Sequence, residues 1–270
     1  MYVFLTYIIY YRHLLFTRTG SLFLSAKILV IGGYSNEDGI FYNVGNLNPP
    51  LEIIDLIDTT SKPVIVADTN GSRKGAIGGI LQNKPVICGG YDSDVEPIAN
   101  FSIIGMSNND FKMMSSRCGS ASIVLNESKI WVTGGTSDNE KQTTEMISLD
   151  QPSVAGPDFS FTVSDHSMVL VDPTTIYLIA GLQNEQKSNK TWIINPSNNF
   201  QIRMGPPLNI ARWKHSCSKM KIEGRIFLVA AGGFFCSGDM GGIVEETLDS
   251  VELLDTTCPD NGWKMGTYDL

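Results

Sequence analysis

Short apolar runs that end in paired glycines recur along the chain, separated by polar, turn-forming stretches. Ile28-Leu29-Val30-Ile31 precedes Gly32-Gly33, Pro85-Val86-Ile87-Cys88 precedes Gly89-Gly90, and Ile130-Trp131-Val132-Thr133 precedes Gly134-Gly135. A degenerate copy sets Ile176-Tyr177-Leu178-Ile179 before Ala180-Gly181, and the last sets Phe227-Leu228-Val229-Ala230-Ala231 before Gly232-Gly233. The first positions of the pairs lie 57, 45, 46 and 52 residues apart. A period near 50 built of short strands predicts the blades of a β-propeller.

The residues around each pair fill in one repeat. Arg73, Arg117 and Arg212 stand 16, 17 and 20 residues before their glycines. Three residues after them come Ala76, Ser120 and His215, and His166 holds that place in the fourth repeat. The run Ser120-Ala121-Ser122-Ile123-Val124-Leu125, a turn at 126–129, and the glycine-terminated strand predict a β-hairpin. A third strand is predicted at 51–56, 144–149, 191–194 and 250–255, and a fourth near Phe111, Phe200 and Trp263. Four antiparallel strands per repeat and no helical pattern give an all-β fold, with five blades visible.

These motifs together resemble the kelch repeat: paired glycines after an apolar strand, an upstream Arg-x-x-His or variant, and a downstream aromatic such as Trp263. The resemblance spans 18–270 and implies a kelch-type propeller in which the glycines meet close packing and positive φ. It also implies that the arginines, His166 and His215 tie strands together and that the aromatic fills the space between blades. The pattern departs from the family at Ala180, at Phe111 and Phe200 in place of tryptophan, and at Val163 in place of arginine. Kelch propellers usually have six or seven blades, so five leaves an incomplete or irregular six-bladed ring as the alternative to a five-bladed one.

Residues 1–17 form an apolar, aromatic leader, read as an extension outside the propeller domain of 18–270. Over the first 26 residues Arg12, His13 and Arg18 interrupt the apolar run, so it falls short of the ~20 apolar residues of a membrane span. Its basic residues follow the apolar stretch, which is the wrong order for a signal peptide. The net charge of -8 and the lack of any basic cluster argue against nucleic acid as a partner. Cys88, Cys118 and Cys217 read as small buried hydrophobes, while Cys236 and Cys258 are candidates for a disulfide. The balance leans to a cytoplasmic chain, with secretion as the alternative.

Catalytic signatures are sparse. The sequence contains neither a phosphate-binding Gly-x-x-x-x-Gly-Lys loop nor a Gly-x-Ser-x-Gly elbow, and only three histidines. The segment Asp92-Ser93-Asp94-Val95-Glu96 lacks the glycine and glutamate a calcium loop needs. No cofactor and no metal are expected. The long loops are the better candidates, because binding residues collect on loops held by a rigid frame. In 234–249, Phe234 and Phe235 are predicted anchors beside Asp239, Glu245, Glu246 and Asp249. The leading expectation is a non-catalytic scaffold that binds another protein through rim loops, as the kelch halves of ubiquitin-ligase adaptors and actin-associated proteins do. The alternative is a small-molecule enzyme or sugar-binding module with its site at the channel mouth.

Overall fold

The computed structural model describes residues 10–11, 14–15, 20–24, 27–31, 51–55, 64–66, 75–91, 96–103, 106, 111–136, 143–237 and 244–266. The chain divides into two compact units, Met1–Phe159 and Ser160–Leu270. Gly32, Gly33, Arg73, Asp239 and the segment 92–95 lie outside the described residues. Within 1–17, Tyr10–Tyr11 pairs with Leu14–Leu15.

The fold is all-β and propeller-like, built from five four-stranded antiparallel sheets among the described residues, each a simple meander in chain order. The first unit holds three. They comprise Gly20–Leu24, Lys27–Ile31, Leu51–Asp55 and Val64–Val66; then Ile77–Leu81, Lys84–Cys88, Asn100–Ile103 and Phe111–Lys112; then Ala121–Asn126, Lys129–Thr133, Thr144–Ile147 and Val154–Ala155. The second unit holds two: Ser167–Asp172, Thr175–Ile179, Thr191–Asn195 and Gln201–Met204, followed by Ser216–Ile222, Arg225–Ala231, Val251–Asp255 and Lys264–Met265. The helical content among the described residues is one 3-10 turn, Pro259–Asn261.

Tight turns set the register of the hairpins. Gln82 and Asn83 both take positive φ, as do Glu223 and Gly224, which is the twist-matched geometry of a two-residue connection. Where the register shifts just before the turn, a side chain caps it. Asn126 accepts from the amide and hydroxyl of Ser128, and Asp172 does the same with Thr174.

The glycine pairs of the second, third and fifth sheets end the second strand in the left-handed region, with φ of 56 and 106 at Gly134 and Gly135 and 64 and 96 at Gly232 and Gly233. A Cβ on Gly135 would lie 2.3 Å from Ser120 Oγ and 2.7 Å from the Cys118 carbonyl oxygen. Side chains are thereby excluded where the second strand passes the segment leading into the first. Ala180 adopts the same torsion, φ 54, and carries its methyl group into it.

A second left-handed position recurs just before the first strand of the second to fifth sheets: Gly75, Gly119, Asp165 and Lys214, with φ of 68, 67, 53 and 53. The amide of Gly119 donates to the Gly75 carbonyl at 3.4 Å, and that of Lys214 to the Asp165 carbonyl at 2.9 Å. Each of these bonds hooks one sheet to the sheet before it within a unit.

Between the second and third sheets, Leu81, Val86, Cys88, Phe101 and Ile103 pack with Ile130, Val132 and Ile147. In the second unit, Val171, Tyr177 and Ile179 meet Leu228, Ala230 and Leu254, with Trp263 in the same cluster. Each large side chain so buried contributes roughly 1.5–3 kcal/mol. Trp263 donates its indole N–H to the Pro206 carbonyl at 3.0 Å, so it spans the fourth and fifth sheets. The residue at its register position in the fourth sheet is Ile202, not Phe200, which lies in the preceding turn with φ 54. Cys258 is an exposed free thiol, so the candidate disulfide with Cys236 is not formed in this structure.

Candidate functional site

The best-built surface feature sits where the loops after the second strands leave the sheets of the second unit, and two buried ion pairs show how such loops are anchored. Arg212 is fully buried; it donates to Glu252 at 2.8 Å, to the Gly232 carbonyl at 2.9 Å and to the Ser250 carbonyl at 3.1 Å. Glu252 accepts in turn from the amides of Asn209 and Ile210 at 2.6 and 3.2 Å. One cation thus closes the base of the loop between the second and third strands, and one carboxylate holds the lead-in segment against it. Arg117 and Glu145 repeat the arrangement in the third sheet at 2.7 Å, with bonds to the Gly134 and Thr143 carbonyls and from the Met114 and Ser115 amides.

The fourth sheet lacks both charges. Trp192 stands where Glu145 and Glu252 stand, opposite the residue two before the first glycine position. Its ring stacks on Phe161 at 4.9 Å and its N–H donates to Gln183 at 3.1 Å. A buried carboxylate without a cation would be strongly destabilising, so the loss of both charges together is what the energetics require. His166 and His215 are both buried, and Gly233 packs against the Cβ of His215.

Both loops after the second strands of the second unit carry a hairpin of their own. In the fourth sheet the loop forms a hairpin, Leu182–Gln183 with Gln186–Lys187, joined on its other edge by Val163–Ser164. In the fifth sheet the predicted rim loop forms Phe234–Ser237 paired with Val244–Thr247, with Phe234 opposite Thr247 and Phe235 opposite Glu246. Phe234 exchanges backbone hydrogen bonds with Trp213 at 2.9 and 3.3 Å, and the two rings stack at 6.2 Å. Lys187 Nζ lies 5.4 Å from the Trp213 ring centre and Lys214 Nζ 5.7 Å from that of Phe234. Such contacts contribute about 0.5–1 kcal/mol each at exposed sites.

Phe234 is therefore part of the hairpin's seat on Trp213, and Phe235 is the half-buried aromatic beside it. Sequence reasoning gave the two phenylalanines and the acidic residues of this segment but not Trp213, Lys187 and Lys214. The phrase Arg212-Trp213-Lys214-His215 carried that signal.

A separate cavity of about 340 Å³ opens beside the fourth strand of the fourth sheet, lined by Ile193, Arg203, Met204, Pro206, Pro259 and Asp260. Its polar groups, Arg203 and Asp260, are both exposed. Among the described residues, no three His, Cys, Asp or Glu side chains stand together as a metal-holding group. Among them, too, no helix is long and apolar enough to cross a membrane.

No protein-family model matches the chain, and no curated protein matches it. The chain is similar to a solved structure, that of YjhT, with a TM-score of 0.64 at 12% identity, over 90% of this chain and 81% of that one. The likeness is one of fold: an all-β, propeller-like architecture.

Proposed function

We propose that this chain is a kelch-type propeller module, without catalysis of its own, that binds another protein through the hairpins rising between the second and third strands. The observation that supports the reading is the Phe234–Ser237 and Val244–Thr247 hairpin seated on Trp213. A segment that needed only to connect two strands of one sheet would cost less entropy if it were short. Here it is long, its two described arms pair as strands, and it is fastened by an aromatic stack and a buried ion pair at its base. Aromatic anchors inside a charged rim suit a protein interface.

The test is affinity capture with the full chain, followed by identification of the captured protein and rebinding with purified components. Phe235→Ala is the informative variant, because Phe234 also holds the hairpin down. Loss of at least tenfold in affinity, with an unchanged unfolding midpoint, supports the reading. A partner bound equally by the Phe235→Ala chain would overturn the placement of the interface at this rim.

A further inference from the structure

The hairpin that carries the proposed interface ends in an open backbone edge whose polarity can be derived. Phe234 spends its own amide and carbonyl on Trp213. Its cross-strand partner Thr247 is therefore in the non-hydrogen-bonded kind of antiparallel pair, and the amide of Leu248 bonding to the Gly233 carbonyl at 2.9 Å agrees. It follows that the N–H and C=O groups of Thr247, and of Glu245 two residues back, point away from the Phe234 strand. Among the described residues, Val244–Thr247 is the outer strand of this two-stranded sheet and nothing pairs with that edge.

Exposed edges are templates for another chain, and proteins blunt them with short strands, charged side chains, proline or a bulge. This edge is short and carries two glutamates, which repel another acidic strand but not a basic one, and it has no lysine or proline. It reads Val244-Glu245-Glu246-Thr247, within a segment that also carries Asp239 and Asp249, on a chain of net charge -8. The strand therefore offers main-chain pairing to any extended segment, and its charges select a basic one.

We infer that Val244–Thr247 receives an extended, lysine- or arginine-bearing segment of the partner protein by strand addition, pairing with the outward groups of Glu245 and Thr247. This rests on the rim reading above and names the chemistry of the partner. Substitutions separate the two contributions. Glu245→Pro removes an outward donor while sparing the hairpin's own bonds, whereas Glu246→Lys reverses a charge and leaves the edge intact.

The experiment uses the full chain and two labelled heptapeptides, one alternating lysine with valine and one alternating glutamate with valine, read by fluorescence anisotropy at low and moderate salt. The lysine peptide is expected to bind at least tenfold tighter than the glutamate peptide. Its affinity is expected to fall at least tenfold with Glu245→Pro, and its preference over the glutamate peptide to shrink with Glu246→Lys. A lysine peptide N-methylated at every residue keeps its charge but has no amide left to donate from either edge, so it serves even where the proline variant does not fold; it is expected not to bind. Equal binding of the two charge types, indifference to N-methylation, or no binding of the lysine peptide overturns the inference. A captured partner that depends on Phe235 but binds regardless of Glu245→Pro would leave the rim interface standing and remove the strand addition.

Discussion

Arg212 and Glu252 form an ion pair with no solvent exposure on either side chain, and the pair reaches three separate stretches of chain. Its worth lies in what breaking it would leave behind. Arg212→Met would strand a buried carboxylate and is expected to cost about 3–5 kcal/mol. The double change Arg212→Val with Glu252→Trp copies Val163 and Trp192 of the fourth sheet, and it is expected to be more stable than the single change. Urea unfolding midpoints of the three chains decide this.

Ala180 and Gly135 hold neighbouring places in the repeat but are expected to respond with opposite signs. Ala180→Gly relieves a left-handed alanine and is expected to stabilise by about 1 kcal/mol. Gly135→Ala forces a Cβ against Ser120 and the Cys118 carbonyl at a φ of 106, and is expected to destabilise by about 2–5 kcal/mol. Thermal unfolding of both variants checks the pair.

Much of this was legible in the strands and little of it in the loops. The second strands were readable because, in the second to fifth sheets, each ends on a left-handed position that only a few residues meet. The third strand of the second sheet, Asn100–Ile103, escaped because Asn100-Phe101-Ser102-Ile103 is short and half polar. Glu145 and Glu252 escaped because they stand 28 and 40 residues from their arginines, so no constant spacing joins the pair. Their signal was a glutamate near the start of a third strand, also present at Glu52. The hairpin at 234–247 read as a loop because Val244-Glu245-Glu246-Thr247 has no alternation of apolar residues. It is held by Trp213 from outside itself.

Cysteine chemistry should separate cleanly. Burial pushes the Cys217 thiol up to about 12, so it stays protonated and enclosed, whereas Cys258 is an exposed thiol. Alkylation of the native chain at pH 8, mapped by mass spectrometry, is expected to label Cys258 and spare Cys217 until denaturant is added. Labelling of Cys217 in the native chain would contradict its place between the fourth and fifth sheets.

Asp172 supplies a pH dependence. Burial raises its pKa, but bonds from the Thr174 hydroxyl and amide, aided by Thr175 and Lys219, leave it below the ordinary 3.8. The native state then binds fewer protons than the unfolded chain, so the contribution is complete above the ordinary value and is lost as pH falls through the lower native one. Asp172→Asn keeps the turn acceptor, as Asn126 does in the third sheet. It is expected to be less stable than the parent at neutral pH and equal to it in strong acid, measured by urea unfolding across pH.

The hook from Lys214 to Asp165, and from Gly119 to Gly75, joins main chain to main chain. It asks for a torsion angle and accepts glycine, aspartate or lysine to supply it. A joint specified by a main-chain torsion fixes no single side chain, so successive repeats can lose their shared vocabulary while the hook persists. A chain can then keep the fold of a protein with which it shares 12% of its residues and still match no family model.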